Sequence, residues 1–325
     1  MDDVSFDYFD TRVVDDEESA LLDSLDDKKF NESTTAGLAT LRNVNARFRV
    51  SRWPKPFDRT SHRLICGDGS SIPSVEDASI DLVVTSPPYW TLKKYETSDR
   101  QLGDIQDYDD FLSSLDVVWR ECERVLRPGG RICCVVGDVC LSRRTAGRHY
   151  VMPLHSDIQV RSRNIGLDCL TPILWHKIAN AKLEVKGSGG SFMGKPYQPG
   201  GVVKNDVEYI LMLRKPGGYR KPSQLQKSLS MLTKDELALW FRSVWSDIGG
   251  ASTRSGHPAP YPVSLADRLI RMFSFAGDTI LDPFLGTGST SVAAIAAGRN
   301  SVGVEVEPKY FQMAIERIIA YSGVR

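Results

Sequence analysis

The feature that most constrains this chain is an alternation: short β-branched runs that stop at a turn or a polar residue, separated by segments with helical spacing. Arg63 to Cys66 runs into Gly67-Asp68, Ile80 to Val84 into Thr85-Ser86, and Arg131 to Val136 into Gly137-Asp138. Thr279 to Leu281 stops at Asp282, and Ser301 to Val304 stops at Glu305. Between them, Tyr108 to Leu126 has a helical pattern closed by Arg127-Pro128-Gly129-Gly130, and Ser289 to Ala297 has another closed by Gly298. This repetition predicts an α/β fold, a mainly parallel sheet with helices on both faces. Ligands of such sheets bind beyond the carboxyl ends of the strands, near the switch in strand order. The polar residues that end these runs fall there. A chain of 325 residues can build one large domain of this kind with an insertion.

Thr279 to Thr290, TILDPFLGTGST, reads as a strand, an acid, a Gly-x-Gly bend and a helix start. Glycine permits close backbone approach at the bend, and Ser289 and Thr290 are placed to cap the helix. Phosphate loops follow their last glycine with Lys-Ser/Thr or use three spaced glycines, whereas Gly288 here precedes Ser289-Thr290 with no lysine. Asp282 points the same way: a carboxylate at a strand tip repels an anion and attracts a cation such as an α-amino group. Glu305, 23 residues on, ends the next strand, where a carboxylate can accept from both ribose hydroxyls. A nucleoside without phosphate and with a positive end is implied. S-adenosyl-L-methionine meets that description.

Asp81 to Trp90, DLVVTSPPYW, puts Ser86-Pro87-Pro88-Tyr89 directly after a buried strand. Two prolines fix φ and remove two amide donors, so the turn is stiff and presents carbonyl oxygens. Such a turn suits an exocyclic amine of a nucleobase, whose lone pair is delocalised into the ring. Hydrogen bonds from its N–H groups to the Ser86 hydroxyl and the Pro87 carbonyl favour a pyramidal nitrogen aimed at a methyl sulfonium. Tyr89 is expected to stack on the base, which must leave the duplex to be reached. Serine is too weak an acid to act as a ready base, so proton loss is expected after methyl transfer.

Charge is uneven. Basic and acidic residues balance at 41 each, yet residues 1 to 30 hold eleven acids and three bases. Such an arm is expected to be disordered or loosely docked, leaving a basic body. Lys177 to Lys227 holds ten Lys or Arg against three acids, with eight glycines from Gly187 to Gly218, a composition suited to a polyanion. The six cysteines contain no C-x-x-C pair and are expected to be reduced core residues. The five histidines lack ligand spacing, so no metal is expected. The acidic N-terminus does not resemble a secretory leader, and a cytoplasmic location is expected.

The ordered set of Ser86-Pro87-Pro88-Tyr89, a basic insertion, His257 to Ile270 (HPAPYPVSLADRLI) and Leu281 to Gly288 resembles the β-group DNA amino-methyltransferases, over roughly Leu64 to Ile318. The resemblance implies a Rossmann-like methyltransferase sheet, mainly parallel with one antiparallel strand, with the catalytic half before the cofactor half and a DNA-recognition insertion. It divides the chain into an arm (1–45), a catalytic half (46–178), a basic recognition region (179–250, with a core strand near 206–215) and a cofactor half (251–325). Serine at the head of the tetrapeptide implies transfer from S-adenosyl-L-methionine to cytosine N4. Adenine N6, or a catalytically silent DNA-binding subunit, are the alternatives. Ser86, Pro87, Pro88 and Tyr89 would be catalytic. Asp282, Pro283, Phe284, Gly286, Thr287 and Gly288 would line the cofactor, Glu305 its ribose and Asp68 its adenine, with His257, Pro258 and Ala259 closing over the methionine end. Arg143, Arg144 and Arg148 would hold phosphates beside the flipped base. Lys182, Lys186, Lys195, Arg220 and Lys221 would contact the backbone of double-stranded DNA. A cognate restriction endonuclease is the expected partner, with the chain a monomer or a homodimer.

Overall fold

The computed structural model describes residues 3–9, 14–26, 30–49, 54–90, 102–176, 205–250 and 261–322. The elements, in chain order, begin with β1 (Asp3–Phe9), α1 (Asp16–Asp26), α2 (Thr35–Arg49), β2 (Arg59–Cys66), β3 (Ile80–Thr85) and α3 (Tyr108–Val125). The middle of the chain forms β4 (Leu126–Val136), β5 (Val139–Leu141), α4 (Arg143–Ala146), β6 (Tyr150–Met152), α5 (Leu154–Ile165), β7 (Asp168–His176) and β8 (Val207–Arg214). Last come α6 (Gln224–Leu229), α7 (Lys234–Trp240), β9 (Val244–Trp245), α8 (Val263–Phe273), β10 (Thr279–Asp282), α9 (Ser289–Ala296), β11 (Asn300–Glu305) and α10 (Pro308–Ser322).

Nine strands make one sheet in the order β1-β2-β11-β10-β3-β4-β8-β7-β9. Only β1 and β8 run against the rest. The expected core strand near 206–215 coincides with β8, and β9, also within residues 179–250, adds a second strand by pairing with β7. From β10 the chain continues to β11 on one side, and from β3 to β4 on the other. The crevice at the carboxyl ends of β3 and β10 is therefore the switch point where a ligand site is expected.

Helix α3 shows why the local sequence folds as it does. Asp107 caps it by accepting from the Asp110 amide, and Phe111, Leu112, Leu115, Val118, Trp119, Cys122 and Val125 recur at helical spacing on its buried face. Each large side chain fully buried there contributes about 1.5–3 kcal/mol. With α5 it covers one sheet face, while α8, α9 and α10 cover the other. The Pro128-Gly129-Gly130 bend ends α3 as expected but is absorbed into β4, which shifts register against β3 between Ile80 and Leu82.

The described residues of the N-terminal arm form β1, α1 and part of α2, packed on the body, where the charge pattern led to the expectation of a disordered or loosely docked segment. Val4, Phe6 and Tyr8 alternate along β1 and pack on the cluster of Leu64, Phe311 and Ile318. Asp3 and Asp7, which alternate with them, pair with Arg63 and Arg59 of β2. Helices α1 and α2 bury Leu25, Leu41, Val44 and Phe48 against Leu229 and Ala276, and Arg47 bridges Asp15 and Glu18. All six cysteines are free thiols; Cys122, Cys133 and Cys134 lie in the core, and burial pushes the Cys133 thiol up to about 12. Cys66 and Cys140 are half-buried and Cys169 is exposed, departures from the expected core position. Among the described residues no helix is long and apolar enough to cross a membrane.

Candidate active site

Four neighbouring strand tips carry the candidate residues. Asp68 follows β2, Glu305 ends β11, Asp282 ends β10, and Ser86 follows β3. At about 4.8 Å per strand spacing the row spans about 14 Å. The turns interlock. Gly67 N–H donates to the Glu305 carbonyl at 2.9 Å, and a Cβ on Gly69 would lie 2.6 Å from the Pro283 oxygen, so Asp68 sits against the glycine bend.

Asp282 is the joint between the two halves of the site. Its carboxylate is 1% exposed and accepts from Thr85 Oγ1 at 2.6 Å and Phe284 N at 3.1 Å on one oxygen. The other oxygen accepts from Thr290 Oγ1 at 2.5 Å and Tyr261 Oη at 3.1 Å. Burial pushes this carboxyl above the usual aspartate range, and those same hydrogen bonds oppose the rise. Four acceptor sites are about all a carboxylate has. The expectation of Asp282 as an open anion facing a cationic ligand is therefore corrected: its oxygens are committed to the protein, and Thr85 ties it to the strand that carries Ser86. Thr290 serves Asp282 rather than capping α9, whose N-cap is Gly288 with φ +80°, and Ser289 instead accepts from Arg317.

Glu305 is 8% exposed and accepts from Gly286 N at 2.7 Å and Glu307 N at 2.9 Å, one bond to each oxygen. Each oxygen keeps a second lone pair. Burial pushes the carboxyl up to about 7, against the pull of the two amides. Arg317 of α10 steadies the bend by donating to the Thr287 carbonyl and hydroxyl at 3.2 Å. Phe284 meets Trp119 edge-on at 6.4 Å between ring centroids, in the same cluster that holds Tyr89. The proline turn and the glycine bend therefore share one side of the sheet.

At the tip of β3, Tyr89 is 9% exposed, and its hydroxyl donates to Glu208 of β8 at 3.1 Å. Beside it, at the tip of β4, Asp138 bonds the His155 ring at 2.6 Å, and that ring stacks on Tyr209 with centroids 3.7 Å apart. Arg143 and Arg144 open α4 in the β5–β6 hairpin that follows, and Arg148 lies 5.3 Å over the Tyr150 ring; all three are exposed. Arg220 is a correction. It pairs with Asp81 and Asp278, at the amino-terminal ends of β3 and β10, so it and exposed Lys221 lie at the far end of the sheet from Ser86. His257, Pro258, Ala259, Lys182, Lys186 and Lys195 lie outside the described residues. Sequence alone leaves Thr85, Tyr261, Arg317 and Glu208 unassigned; Thr85, next to the tetrapeptide, Tyr261, inside the His257 to Ile270 block, and Glu208, in the expected core strand, carry a positional hint.

The sequence pattern of a DNA methylase family matches residues 80–316, which takes in every strand tip of this site except that of β2. The chain belongs to that family. Among its relatives, the Type II methyltransferase M.MjaI of Methanocaldococcus jannaschii is 36% identical over 288 residues, 80% of this chain and 91% of the relative. The Type II methyltransferase M.MthZI of Methanothermobacter thermautotrophicus is 34% identical over 80% of this chain and 77% of its own. TTHA0409 of Thermus thermophilus, assigned to the DNA modification methylases and solved with S-adenosyl-L-methionine, is 49% identical with a TM-score of 0.67. That match covers 81% of this chain and 95% of the other. The cytosine-N4-specific PvuII DNA methyltransferase shares the fold at 17% identity and a TM-score of 0.56, over 81% of this chain and 91% of its own. The methylase thus has a Rossmann-like methyltransferase fold and transfers methyl groups from S-adenosyl-L-methionine to DNA. Its residues fit that cofactor: Glu305 keeps one lone pair on each carboxylate oxygen, acceptor capacity for two ribose hydroxyls.

Proposed function

We propose that the methylase acts on the exocyclic N4 amine of a cytosine swung out of duplex DNA. The observation that carries this reading is the Thr85–Asp282 hydrogen bond, which holds the Ser86-Pro87-Pro88-Tyr89 turn against the glycine bend although the two lie 197 residues apart. When bound, S-adenosyl-L-methionine supplies an electrophilic methyl group. The chain's own task is to place and prepare the nucleophile. Ser86 Oγ and the Pro87 carbonyl accept the two amine hydrogens, which draws the nitrogen lone pair out of conjugation and fixes its direction. Tyr89 lies against the base, and the proton leaves after transfer, because a serine hydroxyl is too weakly basic to remove it first. Glu305 takes the ribose hydroxyls on its remaining lone pairs while holding Gly286, and Asp68 takes the adenine amine. Asp282 acts as a buried brace that sets the spacing between amine and cofactor sites. Serine in the first position of the tetrapeptide supports cytosine. The Type II names of the relatives support a place beside an endonuclease that cuts the same sequence.

The test is incubation of duplex DNA with methyl-labelled cofactor, followed by digestion to nucleosides. N4-methylcytosine is expected. Label recovered only as N6-methyladenine overturns the base assignment, and an unlabelled duplex at a mapped recognition site overturns the reading altogether.

A further inference from the structure

The Pro87 carbonyl can only accept, but a serine hydroxyl can donate or accept, and nothing within Ser86-Pro87 decides which. Two further side chains do. Ser86 Oγ donates to the Tyr89 oxygen at 3.4 Å, and the Tyr89 hydroxyl donates to Oε2 of Glu208 at 3.1 Å. The first step is long for O–H···O, as catalytic hydrogen bonds commonly are before substrate binds. A carboxylate has no proton to give, so the direction of the chain is fixed from its far end. Glu208 accepts, the phenol donates toward it, and the phenol oxygen is left to receive the Ser86 proton. Burial, with the Glu208 charge beside it, pushes the Tyr89 phenol well above its usual range, so it keeps the proton the chain needs. Packing holds the pair together: a Cβ on Gly137 would lie 3.2 Å from Glu208 Cγ and 3.3 Å from the Tyr89 ring.

We propose that Glu208 is a positioning residue that makes this site selective for an amine. By accepting from Tyr89 it turns the Ser86 proton away from the substrate and leaves the Ser86 lone pairs facing the target nitrogen. The inference rests on the role given to Ser86 above and extends it to a residue of the antiparallel strand β8, 119 residues from Tyr89. An amine offers two hydrogens to the two acceptors. A base with a carbonyl in that place sets lone pair against lone pair at both Ser86 and Pro87 and is rejected. Without Glu208 the serine proton is free to turn inward and serve the carbonyl.

Binding, rather than turnover, is the first readout. Two duplexes carrying the methylation site, one with the target base and one with its deaminated counterpart, are titrated against the full chain. The difference in flipping energy between the duplexes cancels when variants are compared. Glu208→Ala is expected to lower the preference for the amine about tenfold, the effect of one hydrogen bond. Glu208→Gln, whose amide can present either its oxygen or its N–H to the phenol, is expected to leave a preference between those of the parent and Glu208→Ala. Glu208→Ala is expected to add nothing in the Tyr89→Phe background, since both changes cut the same chain. Cofactor affinity should be unchanged throughout. An undiminished preference in Glu208→Ala, or effects that multiply in the double variant, overturns the proposal. Should Glu208→Ala fail to fold, Tyr89→Phe alone decides: it must lose the preference, and retention refutes the link. Failure of the underlying reading looks different, because Ser86→Ala would then turn over normally whatever Glu208 does.

Discussion

Replacing Thr85 with valine removes a single hydroxyl from the tip of β3 and leaves the buried Asp282 carboxylate one donor short. Asp282 is 1% exposed, and the lost bond is 2.6 Å long, so its loss is felt in full. A hydrogen bond to a charged group contributes about 1.5–3 kcal/mol, and a domain of this size loses about 2–4 °C of melting temperature per kcal/mol. Thr85→Val should therefore melt about 3–12 °C lower near neutral pH. The pH dependence identifies the cause. Burial already holds the Asp282 carboxyl above the usual aspartate range, and the Thr85 bond favours the ionised form. The contribution of that bond is present while Asp282 is ionised and is lost as pH falls through its raised pKa. Thermal melts of parent and variant should converge toward acid pH. A deficit that is the same at every pH would mean that Thr85 contributes packing alone and that Asp282 is not braced as described.

Glu305 predicts the opposite slope. Its folded-state pKa, about 7, lies above the 4.5 of an ordinary glutamate, so between those values the folded protein holds more protons than the unfolded chain. Stability without cofactor should fall by about 3 kcal/mol as pH rises through that window, and Glu305→Gln should flatten this component in urea titrations; an unchanged slope would refute it. Arg143→Ala combined with Arg144→Ala should lower the slope of log affinity against log salt by about 0.9 for each phosphate that is no longer neutralised. A slope equal to the parent's would remove this hairpin from the DNA interface.

The parts of the fold legible in the sequence are those written in contiguous residues. The runs ending at Asp282, Glu305 and Thr85 announce strand tips, and the Asp-x-x-x-Gly-x-Gly and Ser-Pro-Pro-Tyr turns announce which tips matter. Charge counting conceals β1, because eleven acids among the first thirty residues outweigh the period-two alternation of Val4, Phe6 and Tyr8. Asp282 is visible in the sequence, but its role is not: two of its donors, Thr85 and Tyr261, lie 197 and 21 residues away, and only the folded chain brings them to it. Arg220 misleads for the reverse reason. Its charge is visible in sequence, whereas its neutralisation by Asp278 and Asp81 is not. Glu208 is placed on an expected core strand, but its partner Tyr89 lies 119 residues away and is brought to it only by the fold.

The most direct test of the account compares Ser86→Ala with the parent chain in two measurements on one preparation: the single-turnover rate of methyl transfer to a saturating duplex, and the dissociation constant of S-adenosyl-L-methionine by calorimetry. If the β3 tip prepares the nucleophile and the β10 and β11 tips hold the cofactor, the rate should fall by about 10²-fold or more while the dissociation constant stays within about twofold. Equal losses in both, or a rate that survives the substitution, would contradict that division of labour.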